Sequence, residues 1–147
     1  MTNHNSTALR LPFDVNIMRA EVARLLKQAS ETLIMPRWRA LDDADIATKT
    51  SETDLVTIAD REAEIFLSPH LEALLAGSFA LGEEACSEQG DILNRAEDEW
   101  VWTIDPVDGT KNFVKGTRQF CSMVSLAHYG TPVMAWIYRP TEKDCLI

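Results

Sequence analysis

The segment Asp105-Pro106-Val107-Asp108-Gly109-Thr110 constrains this chain most, because it directly follows an alternating apolar run. In Trp100-Val101-Trp102-Thr103-Ile104, residues Trp100, Trp102 and Ile104 share one face. That period of two predicts a strand ending at Asp105. A carboxylate at the end of a buried strand is held rigidly and can face a cleft. Pro106 fixes one backbone torsion and Gly109 permits one that other residues resist. The segment can therefore turn both carboxylates and the Val107 carbonyl toward one point. Two more apolar runs end in acid: Leu55-Val56-Thr57-Ile58 before Asp60, and Ser78-Phe79-Ala80-Leu81 before Gly82-Glu83-Glu84. Taken alone, Asp108-Gly109 is a turn dipeptide, Glu83-Glu84 a solvated loop, and Asp60 the N-cap of a helix starting at Arg61. Together they form a set of hard oxygen ligands, which suits magnesium rather than zinc or copper.

The rest of the chain supplies a frame. From Asp14, a plausible N-cap, Val15, Met18, Val22, Leu25, Leu26, Ala29 and Leu33 recur at steps of mostly three and four, predicting an amphipathic helix that ends near Pro36. Residues 39–54 are largely polar. A second helix follows Asp60, with Ala63, Phe66 and Leu67 inward. Pro69 cannot donate to Ile65, so the helix is expected to kink or restart there, with Ser68 as N-cap, and to run on to Gly77. Runs Phe120 to Ala127 and Val133 to Tyr138 flank His128-Tyr129-Gly130-Thr131-Pro132 and read as a hairpin. Two helices followed by successive strands is an α+β order.

Charge sharpens the functional reading. Lysine and arginine number 14 against 23 aspartates and glutamates, a net charge of −9. An acidic surface disfavours non-specific binding of a nucleic-acid polymer, and it repels any phosphate unless a cation intervenes. The cysteines, Cys86, Cys121 and Cys145, are odd in number and form no CxxC pair, so neither a disulfide framework nor a zinc knuckle is indicated. The start carries no secretory pattern, and no apolar run approaches the ~18 residues of a membrane span. A soluble, cytoplasmic protein without a membrane partner is expected.

Three ordered blocks carry a family resemblance: Lys49-Thr-Ser-Glu-Thr-Asp54-Leu-Val-Thr-Ile-Ala-Asp60, then Gly82-Glu83-Glu84, then Trp102-Thr-Ile-Asp105-Pro-Val-Asp108-Gly-Thr-Lys-Asn-Phe-Val114. In order and spacing they resemble the signature blocks of the inositol monophosphatases, magnesium-dependent and lithium-sensitive phosphatases. The resemblance implies the N-terminal portion of a layered αβαβα sandwich, with two helices on a mostly antiparallel sheet. Residues 1–13 would be a loosely ordered start and 14–147 that α+β portion, its C-terminal partner portion lying beyond Ile147. The chain would be a fragment, since Cys145-Leu146-Ile147 reads as a chain stopped inside an element.

The resemblance also implies roles. Glu83 and Asp105, with the Val107 carbonyl, would hold the catalytic Mg2+, and Asp105 would bridge to a second ion that Asp108 helps to bind. Thr110, hydrogen-bonded to Asp60, would orient the attacking water, with Asp60, Thr110 and Glu83 as the catalytic set. Asp108 and the amides of Gly109 and Thr110 would receive the phosphate. Glu84 ranks below Glu83, and Lys49 and Asp54 receive no chemical step. The implied substrate is a small phosphate monoester, with inositol monophosphate favoured, and the implied assembly is a homodimer. Histidinol phosphate or a 3'(2'),5'-bisphosphate nucleotide on the same scaffold, and a non-catalytic truncated module, are the alternatives.

Overall fold

A computed structural model describes residues 10–49 and 55–147 of the chain. Asp54 and the first nine residues of the expected loose start lie outside the described residues.

The first helix, α1, runs Val15–Ala29. Asp14 caps it: its carboxylate accepts the amide hydrogens of Asn16 and Ile17 at 2.8 and 3.0 Å, two donors the helix itself leaves unpaired. Met18, Val22, Leu25, Leu26 and Ala29 are buried as the spacing predicts, while Val15 stays exposed. Leu33 does not continue the stripe. Residues Ser30–Ile34 form a π turn, which takes up more residues per turn and brings Ile34 into the interior instead.

Strand β1, Ile46–Thr48, emerges from the polar stretch and pairs antiparallel with β2, Leu55–Thr57. Helix α2 covers Ile58–Leu74 without a break, which corrects the restart expected at Pro69. The carbonyl that Pro69 leaves free belongs to Ile65, a residue 73% exposed, so water can satisfy it. Ser68 turns its hydroxyl back to the Glu64 carbonyl at 2.9 Å rather than capping a new helix.

Strand β3, Phe79–Gly82, is followed by a short helix α3, Glu83–Glu88, and a 3-10 stretch Gly90–Arg95, neither of which the sequence reading placed. Strand β4 occupies Trp100–Asp108. It does not stop at Asp105; the ladder to its neighbour shifts register between Asp105 and Asp108, so Pro106 and Val107 sit in an irregularity of the kind that accommodates a proline. Strands β5, Cys121–His128, and β6, Thr131–Arg139, form the hairpin. Its turn is tighter than expected, Tyr129-Gly130 alone, both at positive φ. Strand β7, Asp144–Leu146, lies outermost.

The sheet order is β3-β4-β5-β6-β7, with β3 and β4 parallel and every other pair antiparallel. Helices α1 and α2 cover one face. Trp100, Trp102, Ile104, Val124, Leu126, Trp136 and Tyr138 meet Leu25, Leu26, Leu67 and Leu71 there in one core. The two indoles at its centre keep partners: Trp102 donates to the Ser78 hydroxyl at 3.0 Å and Trp136 to the Arg19 carbonyl at 3.2 Å. A second cluster of Ile34, Ala59, Ala63, Val107, Phe113 and Phe120 lies under the Asp105–Thr110 segment and fixes it to α2. The α+β reading holds. Among the described residues no helix is long and apolar enough to cross a membrane.

Leu26 is fully buried and Ile65 is mostly exposed on the neighbouring helix. Leu26→Ala should lose about 2–5 kcal/mol of unfolding free energy in a urea titration, against less than about 0.5 kcal/mol for Ile65→Ala.

Candidate metal centre

Asp60 is not the N-cap of its helix but the third residue of its first turn. Thr57 is the cap, and the pair closes a capping box: Asp60 Oδ2 accepts from the Thr57 amide at 2.8 Å and from its hydroxyl at 2.5 Å. The other oxygen is free to reach across to α4, the five-residue helix Thr110–Val114. There the Thr110 hydroxyl lies 3.1 Å from Asp60 Oδ1 and 2.9 Å from the Val107 carbonyl oxygen. Asp60 is fully buried, and burial raises its pKa against the hydrogen bonds from Thr57 and Thr110.

Gly109 caps α4 in the left-handed conformation, φ 85°, ψ 35°. A Cβ there would sit 2.8 Å from the Gln119 carbonyl oxygen, so both torsion and space require glycine. The amides of Gly109 and Thr110 stand at the opening of this helix, where the first turn has no acceptors of its own.

Glu83 is the first residue of α3. Its Oε1 accepts from the Lys49 ammonium at 2.8 Å, and the same ammonium pairs with Glu84 Oε1 at 2.9 Å. The Lys49 side chain is almost wholly buried. Burial works to lower its pKa, but hydrogen bonds to Glu83 and Glu84 and their charges outweigh it and hold the ammonium protonated. Glu84, also buried, is pushed up to about 7 by burial, with Lys49 opposing and Asp60 and Glu83 adding repulsion.

Asp105 is raised well above the usual carboxylate range by burial, by the charge and hydrogen bond of Glu83, and by the charges of Asp108 and Asp60. Its Oδ1 is buried with no hydrogen-bond partner. Asp108 is exposed, with the Cys121 thiol 3.7 Å from its Oδ2. Burial, then the charge and hydrogen bond of Asp108, push that thiol up to about 11. From Glu83 and Asp105 a groove of about 520 Å3 extends over the far face of the sheet, past Thr103, Met123 and Ile137.

The structure thus joins Asp60 to Thr110 and Thr110 to Val107, and sets Glu83 and Asp105 on the wall of one groove. Among the described residues it does not gather three or more Asp, Glu, His or Cys side chains closely enough to hold an ion. Carboxylates crowded at low dielectric repel one another, and Lys49 draws Glu83 to itself. The donor set still fits a hard divalent cation: it is entirely oxygen, and the buried, unpartnered Asp105 Oδ1 is an atom that a cation would satisfy.

Comparison with known proteins places the chain in a family. The model of the inositol monophosphatase family matches residues 18–147. The chain belongs to the inositol monophosphatase family. An inositol-1-monophosphatase of Bacillus subtilis (strain 168) is 39% identical over 99 residues, covering 67% of this chain and 36% of that one. An IMPase structure from Thermotoga maritima superposes with a TM-score of 0.72 at 26% identity, over 89% of this chain and 47% of that one. A structure described as an IMPase/NADP phosphatase complexed with Mg2+ and phosphate shares the fold, with a TM-score of 0.71 at 23% identity over 88% of this chain and 46% of that one. The chain spans between about a third and a half of these relatives.

Two residues of this candidate site had no role in the sequence reading. The Thr57-x-x-Asp60 spacing is a capping-box pattern and marks where α2 begins. Glu64, one turn further along α2, is buried and accepts from the amides of Glu84 and Ala85 at 2.7 and 2.8 Å, a contact across 20 residues that no local pattern announces.

The raised carboxyl groups make a pH prediction. A carboxyl whose pKa is higher folded than unfolded favours folding below its unfolded value, and loses that contribution as pH rises through the folded one. For Glu84 the window runs from about 4.5 to about 7. Without divalent ions the urea midpoint should fall between pH 5 and pH 7.5, and Glu84→Gln should show a shallower fall.

Proposed function

We propose that the chain carries the metal- and phosphate-binding part of a magnesium-dependent phosphatase acting on a small phosphate monoester, inositol monophosphate being the favoured substrate. The observation that carries this reading is the chain Thr57–Asp60–Thr110, which fixes a hydroxyl in the turn after β4, while Glu83 and Asp105 line one groove.

Glu83, Asp105 and the Val107 carbonyl would hold Mg2+, with Asp105 shared with a second ion that Asp108 helps to hold. Magnesium, when bound, eases loss of a proton from water and neutralises charge on phosphate. Asp60, anchored by Thr57, accepts the hydroxyl hydrogen of Thr110. The Thr110 oxygen then has a lone pair for the hydrogen of the attacking water, and orients that water toward phosphorus. The amides of Gly109 and Thr110 receive phosphate oxygens at the start of α4. Water adds to phosphorus as the ester oxygen leaves, giving the alcohol and inorganic phosphate without a phosphorylated enzyme. A homodimer in the cytoplasm is the setting that accompanies this reading.

Phosphate release from inositol 1-phosphate, histidinol phosphate and a 3'-phosphonucleotide, with and without Mg2+, tests the proposal. Turnover of one substrate should require Mg2+ and vanish in Asp105→Asn. Thr110→Ala should reduce kcat by about 10²–10⁴-fold with a smaller change in KM. Turnover that persists in Asp105→Asn would contradict it.

A further inference from the structure

Glu64 is only 6% exposed, and both of its carboxylate oxygens are engaged by successive backbone amides: Oε2 by Glu84 at 2.7 Å and Oε1 by Ala85 at 2.8 Å. Those amides belong to the first turn of α3, a helix of six residues whose N-cap, Gly82, has no side chain to offer. A helix that short is not stable by itself, so its direction must be imposed from outside. Glu64 imposes it from α2. Gly82 leaves the room: a Cβ there would lie 2.0 Å from the Glu64 Cδ. On its other side Gly82 is paired with Ile104, the residue before Asp105. Glu83 therefore leaves a backbone clamped between Glu64 and the strand that carries Asp105.

We propose that Glu64 is a positioning residue for the metal centre: by capping α3 it sets the direction of Glu83 against Asp105 while touching neither ion nor substrate. The inference rests on the metal reading of those two residues. A comparison is built into the same helix. Glu72 also accepts one backbone amide, that of Ala80 at 2.9 Å, but it holds the other end of β3, away from the acidic cluster.

Mn2+ titration of the purified chain, followed by broadening of amide NMR signals, tests the proposal. Glu64→Gln should remain folded and bind Mn2+ about tenfold or more weakly, as expected when a metal ligand loses the group that orients it. Glu72→Gln should bind as the wild type does. Gly82→Ala keeps Glu64 but evicts its carboxylate, so it should reproduce the loss. Wild-type affinity in a folded Glu64→Gln, or equal weakening by Glu72→Gln, would overturn the proposal. If the wild-type chain itself bound no Mn2+, the metal reading would fall. The Glu83 carboxyl carbon shift then reads orientation by itself: a change in Glu64→Gln shows that Glu64 still sets Glu83 while its role toward a metal is withdrawn, and no change removes both.

Discussion

Everything in the site depends on two carboxylates that α2 turns into the protein one helical turn apart. Asp60 and Glu64 are both buried, yet they face different clients. Asp60 holds Thr57 and Thr110, fixing the helix start and the turn after β4. Glu64 holds the first amides of α3. Residues four apart on a helix lie about 5–6 Å apart, so α2 acts as a ruler between the two acidic loops. Ala59 and Ala63 let the helix approach closely, and Leu67 and Leu71 anchor it in the core.

The electrostatics follow from that placement. Asp60, Glu64, Glu84 and Asp105 are all raised in pKa with burial as the leading cause, a crowding of carboxyl groups that costs stability in their charged state. Lys49 answers part of the charge by bridging Glu83 and Glu84. Asp105 Oδ1 is left without a partner. A site in this condition favours positive charge, and hard oxygen donors favour a hard cation. Under the proposed function, the acidity that would repel a phosphate from bare protein would become the means of attracting one through a divalent ion.

Much of this was legible in the sequence because it is local. Alternation placed Trp100, Trp102 and Ile104 in the core, and the three-four stripe of α1 held to Ala29. The acidic ends of Leu55–Ile58, Ser78–Leu81 and Trp100–Ile104 marked the candidate site. What was missed depends on partners distant in the chain or on solvent. Pro69 is tolerated because the carbonyl it strands belongs to exposed Ile65. Strand β4 outlasts Asp105 because β5 accommodates a register shift. Glu64 looks like any helical glutamate until α3 folds back onto it.

Glu83, Asp105 and the Val107 carbonyl are proposed to hold a divalent cation. Anomalous diffraction from crystals soaked in Mn2+ would test it most directly. A peak enclosed by those three groups is expected, with Lys49 withdrawn from Glu83. A map with no peak there at saturating Mn2+, or with ions only at exposed carboxylates elsewhere, would contradict it.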